Sequence, residues 1–147
     1  MRQVIYSSLA RDPNLSTPEL HAMLDAFRSR NLQLGITGIL LHSHGRFLQL
    51  VEGGPEEIDR LITRIHADPR HYDLCDRRLT FPRRLFADWS MAFVDLDAAA
   101  HSIAGFAGRS PKIDLHVMDE DTVADLLIHF SNELASDKST GSERSSS

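Results

Sequence analysis

The chain has 147 residues, a formal net charge of −5, a pI near 5.9 and a single cysteine, Cys75. That length supports one domain with some additional material and a core that needs no covalent staples. The acidic balance without a Lys/Arg face argues against nucleic acid, no stretch is apolar for long enough to cross a bilayer, the N-terminus has no signal-peptide pattern, and one cysteine excludes an internal disulfide and fits a reducing cytoplasm.

The first strand is predicted over residues 3–8, QVIYSS, with Val4, Tyr6 and Ser8 on one side. Ser16 then caps a helix, with Glu19 completing a capping box and Pro18 tolerated in the first turn. Leu20, Met23, Leu24 and Phe27 form its buried stripe, and continuing that stripe reaches Arg30 and Asn31, so an apolar face ends in two polar groups pointing inward.

The run GITGILLHSHGRFLQLVEG, Gly35 to Gly53, reads as two strands joined at a tight His44-Gly45 turn. Alternation in the second of these strands puts Phe47, Gln49 and Val51 on one face and Arg46, Leu48, Leu50 and Glu52 on the other. Gln49 thus sits between two apolar residues on a face that should be buried. A buried carboxamide without partners costs about 1–3 kcal/mol, so a polar group must meet it: a backbone carbonyl, another side chain, or a ligand.

A second helix opens at Gly54-Pro55 with Glu56 and Glu57 in its first turn, and buries Ile58, Leu61, Ile62 and Ile65. Arg64 and Asp68 flank this stripe four residues apart, and Pro69 stops the helix. Asp68 is poorly placed for the helix dipole, which leaves either a surface Arg64–Asp68 pair of small value or a site. A fourth strand is predicted over 73–81 and a fifth over Trp89–Val94, where Trp89, Met91 and Phe93 share a face. Residues 97–107 suggest a weak Ala-rich helix. Asp119 or Asp121 caps a last helix with the stripe Val123, Leu126, Leu127, Phe130 and Leu134, and the polar segment from Ser136 onward is expected to be a disordered tail.

The order β-α-β-β-α-β with one further strand predicts an α+β, ferredoxin-like fold, two helices on one face of a mixed sheet and C-terminal helices on the other. The expected division is 1–95 for this domain, 96–135 for a helical extension and 136–147 for the tail. Eight scattered histidines place no metal ligand set, His42 and His44 included, and no nucleophile elbow, phosphate loop or dinucleotide fingerprint occurs. The carboxylates fall mostly on exposed helix faces, so no general acid/base pair is supported and no catalytic residue is assigned. What remains is a set of residues whose parity points to the helix-covered face: Tyr6, Asn31, Gln49, Trp89 and Met91. Each has an ordinary alternative, as a core tyrosine, a helix C-cap or core filler. Together they suit a pocket for a flat, hydrogen-bonding ring with apolar walls and amide partners.

Over its first 95 residues or so the chain resembles the BLUF domains, blue-light sensors that hold a flavin non-covalently, and its C-terminal helices are similar to those of the short stand-alone members. The resemblance rests on Ile5-Tyr6-Ser7-Ser8, Asn31 followed by Gly35-Ile-Thr-Gly38, Gly45-Arg-Phe-Leu-Gln49 followed by Glu52-Gly53, Asp68-Pro-Arg-His71, and Trp89-Ser-Met91, in that order and spacing. It implies FAD, or another flavin such as FMN, lying between the two helices on the sheet. Asn31 would bond the ring's polar edge with Arg30, Arg64 and Asp68 assisting, His71 belongs to the same binding set, and Gln49 would bridge Tyr6 and the flavin. It implies light-driven electron transfer, coupled to proton movement, from Tyr6, leaving Gln49 rotated or in another tautomer, with Trp89 and Met91 relaying the change to the C-terminal helices. No enzymatic activity is expected. The output is expected to reach a downstream effector protein or to act through self-association in a homo-oligomer, in the cytoplasm, without nucleic acid or membrane.

Two other classes share single features with this chain. A LOV-type photosensor is suggested by Arg46-Phe-Leu-Gln49, but its chemistry needs a cysteine where Gly45 stands, and Cys75 is far away. A small acylphosphatase-like enzyme or ligand-binding module on the same fold lacks the glycine-rich phosphate loop beside an arginine.

Overall fold

The computed structural model describes residues 1–11, 16–96 and 113–139. Among these, β1 is Arg2–Ala10, α1 Thr17–Leu34, β2 Thr37–Ser43, β3 Arg46–Gly53, α2 Pro55–Ala67, β4 His71–Leu79, β5 Ala92–Asp95 and α3 Glu120–Ser139. The sheet runs β4-β1-β3-β2-β5, with every neighbouring pair antiparallel except β2 and β5. This is the predicted ferredoxin-like α+β arrangement with an additional strand.

Local chemistry explains the element ends. The Ser16 side chain accepts from the Glu19 N–H at 3.2 Å, and the Glu19 carboxylate accepts in return from the Ser16 backbone, which closes the capping box. Helix α1 ends at Gly35 in the left-handed conformation, four residues beyond the Asn31 cap that the sequence allowed. The hairpin turn places both His44 (φ 50°) and Gly45 (φ 75°) in the left-handed region, the requirement of the turn type that best matches strand twist. Gly38 admits no side chain, because a Cβ there would collide with the Leu50 carbonyl oxygen across the β2–β3 ladder.

Strand β3 is central and buried on both faces, and its alternation divides two cores. Phe47 and Val51 join Val4, Leu20, Leu24, Leu40, Ile58, Leu61 and Ile65 beneath α1 and α2. Leu48 and Leu50 face the other way, onto Ile5, Ile39, Leu41 and the α3 stripe Val123, Leu126, Leu127, Phe130 and Leu134. Asp119 caps α3, accepting from the Thr122 N–H at 2.8 Å. The helix continues through Ser136 to Ser139, where a tail was expected; residues 140–147 lie outside the described residues, as does the Ala-rich helix expected over 97–107.

The fifth strand is shorter than predicted and begins three residues later than Trp89. The Trp89 N–H closes a turn onto the Phe86 carbonyl at 3.0 Å, so strand alternation does not extend back to it. Trp89 and Met91 consequently enter different cores, Trp89 with the α3 cluster and Met91 with the α1/α2 cluster. They do not share the face that strand alternation predicts for them.

Candidate functional site

Between α1 and the sheet lies a cavity of ≈ 730 Å³, within the range of small-molecule sites. Tyr6, Leu40, Phe47 and Gln49 form its floor on the sheet. Ala22, Met23, Ala26 and Phe27 come from α1, and Asp68, Pro69, Arg70 and His71 close one end at the turn from α2 into β4, beside Ala10 and Arg11. Most of the wall is apolar. Ala22 and Ala26, both exposed, stand next to Met23 and Phe27 along this wall.

Tyr6 and Gln49 are direct partners in the β1–β3 ladder, which sets their side chains next to one another on the floor. Both are buried, and the Tyr6 hydroxyl donates to Gln49 Oε1. The other end of the carboxamide, Nε2, points to the Met91 sulfur at 3.3 Å. Burial pushes the Tyr6 pKa far above the ordinary phenol range; Arg30 opposes the shift and Asp68 adds to it. The phenol is therefore a firmly protonated donor.

Asn31 is fully buried, and its Nδ2 donates to the Ser90 carbonyl at 2.7 Å while its Oδ1 has no partner. Arg30 leaves Nε buried and unpartnered and lies over the Phe27 ring at 5.2 Å; burial lowers its pKa, with Tyr6 opposing. A buried polar atom without a partner is costly; Arg30 Nε and Asn31 Oδ1, in the last turns of α1 and outside the lining of the cavity, leave one donor and one acceptor open.

Asp68 stands at the C-cap of α2, just past the helix. It binds Arg70 through the backbone N–H at 2.9 Å and through the guanidinium at 2.6 Å. Those bonds hold its pKa down at about 2, so Arg70, rather than Arg64 as the sequence spacing suggested, offsets the unfavourable dipole. Arg64 is exposed and does not line the cavity. His71 is half-buried between Ser8 Oγ at 3.3 Å and the Ile65 carbonyl at 3.2 Å. A bond to the carbonyl requires a proton on Nε2, which leaves Nδ1 as the acceptor. Burial lowers the His71 pKa, Asp68 opposing.

The structure thus brings Tyr6, Gln49, Asp68 and His71 to the cavity wall. Met91 stands behind Gln49, and Asn31 and Arg30 project from α1 with unpartnered atoms. Arg64 stays at the surface and Trp89 on the opposite face. Arg11, which stacks over Tyr72 at 5.2 Å at the mouth, was not anticipated from the sequence. No group of three or more His, Cys, Asp or Glu capable of holding a metal occurs among the described residues.

A flavin-sized, mostly apolar cavity with a buried tyrosine–glutamine pair on a ferredoxin-like sheet defines the class. Residues 1–92 match the model of the BLUF family, described as sensors of blue light using FAD, and the chain belongs to that family. It is 33% identical over 101 residues to the photoactivated adenylate cyclase subunit beta of Euglena gracilis, a match covering 67% of this chain and 12% of that protein. It is 34% identical over 94 residues to the blue light- and temperature-regulated antirepressor BluF of Escherichia coli strain K12, covering 63% and 23%. The chain therefore spans less than a quarter of the curated relatives it matches. Among solved structures, the dark state of the BLUF protein BlrB superposes with a TM-score of 0.72 at 33% identity, over 90% of this chain and 96% of that one. The matched family is one of sensors rather than enzymes. No helix among the described residues is long and apolar enough to cross a membrane.

Proposed function

We propose that this chain is a blue-light photoreceptor that binds FAD in the α1-side cavity and responds through Tyr6 and Gln49. The observation that carries this reading is the buried Tyr6–Gln49 hydrogen bond on the floor of that cavity. In this reading Asn31 and Arg30 hold the polar edge of the ring. Met23, Phe27, Leu40 and Phe47 supply apolar walls that exclude water, and Asp68, Arg70 and His71 close one end, with Arg64 adding positive charge from the surface. When bound, the flavin supplies absorption of blue light and an excited state that takes an electron from a neighbouring phenol.

The chain's own part is a proton and an amide. A phenol that has lost an electron becomes strongly acidic, and the Tyr6 proton already lies on a path to Gln49 Oε1. A carboxamide has one donor end and one acceptor end, so turning Gln49 or changing its tautomer rewires its bonds without moving the backbone. The Met91 sulfur meets Gln49 Nε2, and the same change therefore alters what Met91 packs against. Met91 immediately precedes β5, and Trp89 two residues earlier packs with Leu126, Leu127 and Phe130 of α3 in the second core, which supports a path from the cavity to the C-terminal helix. In functional terms, residues 1–95 receive the signal and the segment that follows, with α3 (Glu120–Ser139), transmits it. The output passes to a downstream effector protein or to a second copy of the chain, in a cytoplasmic setting that the lone Cys75 suits.

The test is an absorption spectrum of the purified protein in the dark and immediately after blue illumination. A flavin band that moves slightly to the red and then returns supports the reading. A bleached band indicates reduction or adduct chemistry instead, and a colourless protein that takes up no added FAD overturns it.

A further inference from the structure

The segment Trp89-Ser90-Met91 carries the residue that touches Gln49, yet it lies outside any strand and depends on bonds from its neighbours. Its three consecutive carbonyls each accept one: Trp89 from the Gly38 N–H at 3.1 Å, Ser90 from Asn31 Nδ2 at 2.7 Å, and Met91 from Arg28 Nε at 3.0 Å. Two of these donors sit three residues apart on α1, so they share one helix face. The Arg28 side chain is only 16% exposed, and its further ion pair, with the 77% exposed Asp25 at 3.7 Å, is loose. Among the described residues, the Met91 carbonyl is thus the closest partner of the Arg28 guanidinium. Charge-assisted bonds of this kind are about twice as strong as neutral ones, and Met91 itself is 0% exposed.

We propose that Arg28 is a positioning residue for the light response: by gripping the Met91 carbonyl it holds the Met91 thioether against Gln49 and sets how readily the 89–91 segment is released. It acts on the backbone beside the site and touches neither Tyr6 nor the cavity. The inference rests on the photoreceptor reading for its consequence, whereas the grip itself is testable without light.

The experiment compares the wild type with Arg28→Leu, Arg28→Lys and Asp25→Asn as full-length proteins, in the dark, treated with hydrogen peroxide, with oxidation of each methionine read by mass spectrometry. Met1, 56% exposed, reports the reagent, and Met118, 8% exposed in the second core, reports global opening. In Arg28→Leu, Met91 is expected to oxidise roughly tenfold faster relative to Met118, the size of one lost charge-assisted bond. Arg28→Lys, which keeps a donor but not the rigid fork, is expected to fall between, and Asp25→Asn to match the wild type. Unchanged Met91 oxidation in Arg28→Leu, or a rise shared equally by Met118, overturns the proposal. The same variants, loaded with FAD and illuminated, are expected to change the rate of return to the dark spectrum in the same rank order. A wild type without any light-induced shift defeats the photoreceptor reading while the oxidation result still judges the grip, and a shift whose recovery ignores Arg28→Leu defeats the positioning role.

Discussion

The two faces of the sheet are built on opposite plans. On the α3 face most polar groups are closed off: Leu115 N–H donates to Ser7 Oγ at 3.0 Å and Arg77 donates to the Leu115 and Met118 carbonyls, at 3.0 Å in the second case, while Arg46 Nη1 stands 3.2 Å from the Asp114 carboxylate as an ion pair without a hydrogen bond. The fully buried Glu52 carboxylate accepts from the Leu85 and Phe86 N–H groups at 2.7 and 2.9 Å and from Gln3 at 2.8 Å, which pins the β4–β5 connection. On the α1/α2 face the same strands floor a large cavity, and Asn31 and Arg30 leave buried atoms unpartnered. One strand, β3, supplies Glu52 to the closed side and Gln49 to the open one. The face packed by α3 holds the fold together; the face that keeps a cavity is the one made for a ligand.

That contrast can be broken in several ways. Phe130→Ala on the closed face is expected to cost about 3–5 kcal/mol of stability in urea unfolding, without changing the flavin absorption of the protein that remains folded. Glu52→Ala strands the buried Phe86 N–H and the part-buried Leu85 N–H and is expected to cost about 3 kcal/mol, again with the flavin spectrum intact. Asn31→Ala on the open face is expected to weaken FAD binding roughly tenfold, close to 1.4 kcal/mol, in a fluorescence titration. An equal loss of flavin affinity from Phe130→Ala would dissolve the division of labour.

The smallest effect is that of pH. Burial lowers the His71 pKa below its ordinary 6.5, so the unfolded chain takes up the proton first as pH falls. Stability is then expected to be fully present above that value and to decline below it, until the lowered folded pKa is passed. Asp68 adds a later loss between its ordinary 3.8 and about 2, where its bonds to Arg70 are given up. Thermal unfolding at pH 7.5, 6 and 5 checks the first step, with His71→Gln expected to flatten it.

The open face was legible in the sequence wherever alternation governs. Gln49 between Phe47 and Val51, and Tyr6 beside Val4, each follow from strand parity, and the ladder then makes them partners. Asn31 followed from the helical stripe. Where the chain leaves a ladder, the signal ends: Trp89 sits in a turn closed onto Phe86, so counting residues back from β5 gave it the wrong face. Asp68 turned to Arg70 in the loop instead of to Arg64 on the helix, since a C-cap residue no longer obeys helical spacing. The grip of Arg28 on Met91 joins residues 63 positions apart and has no local signature at all.

The most direct test of the central claim is the light-minus-dark absorption difference of Tyr6→Phe beside the wild type, at matched flavin occupancy. Replacing the hydroxyl removes the bond to Gln49 Oε1 while keeping the ring in the floor. The account predicts a red-shifted, reversible difference in the wild type and none in the variant, with FAD still bound. The same difference in both proteins would contradict it.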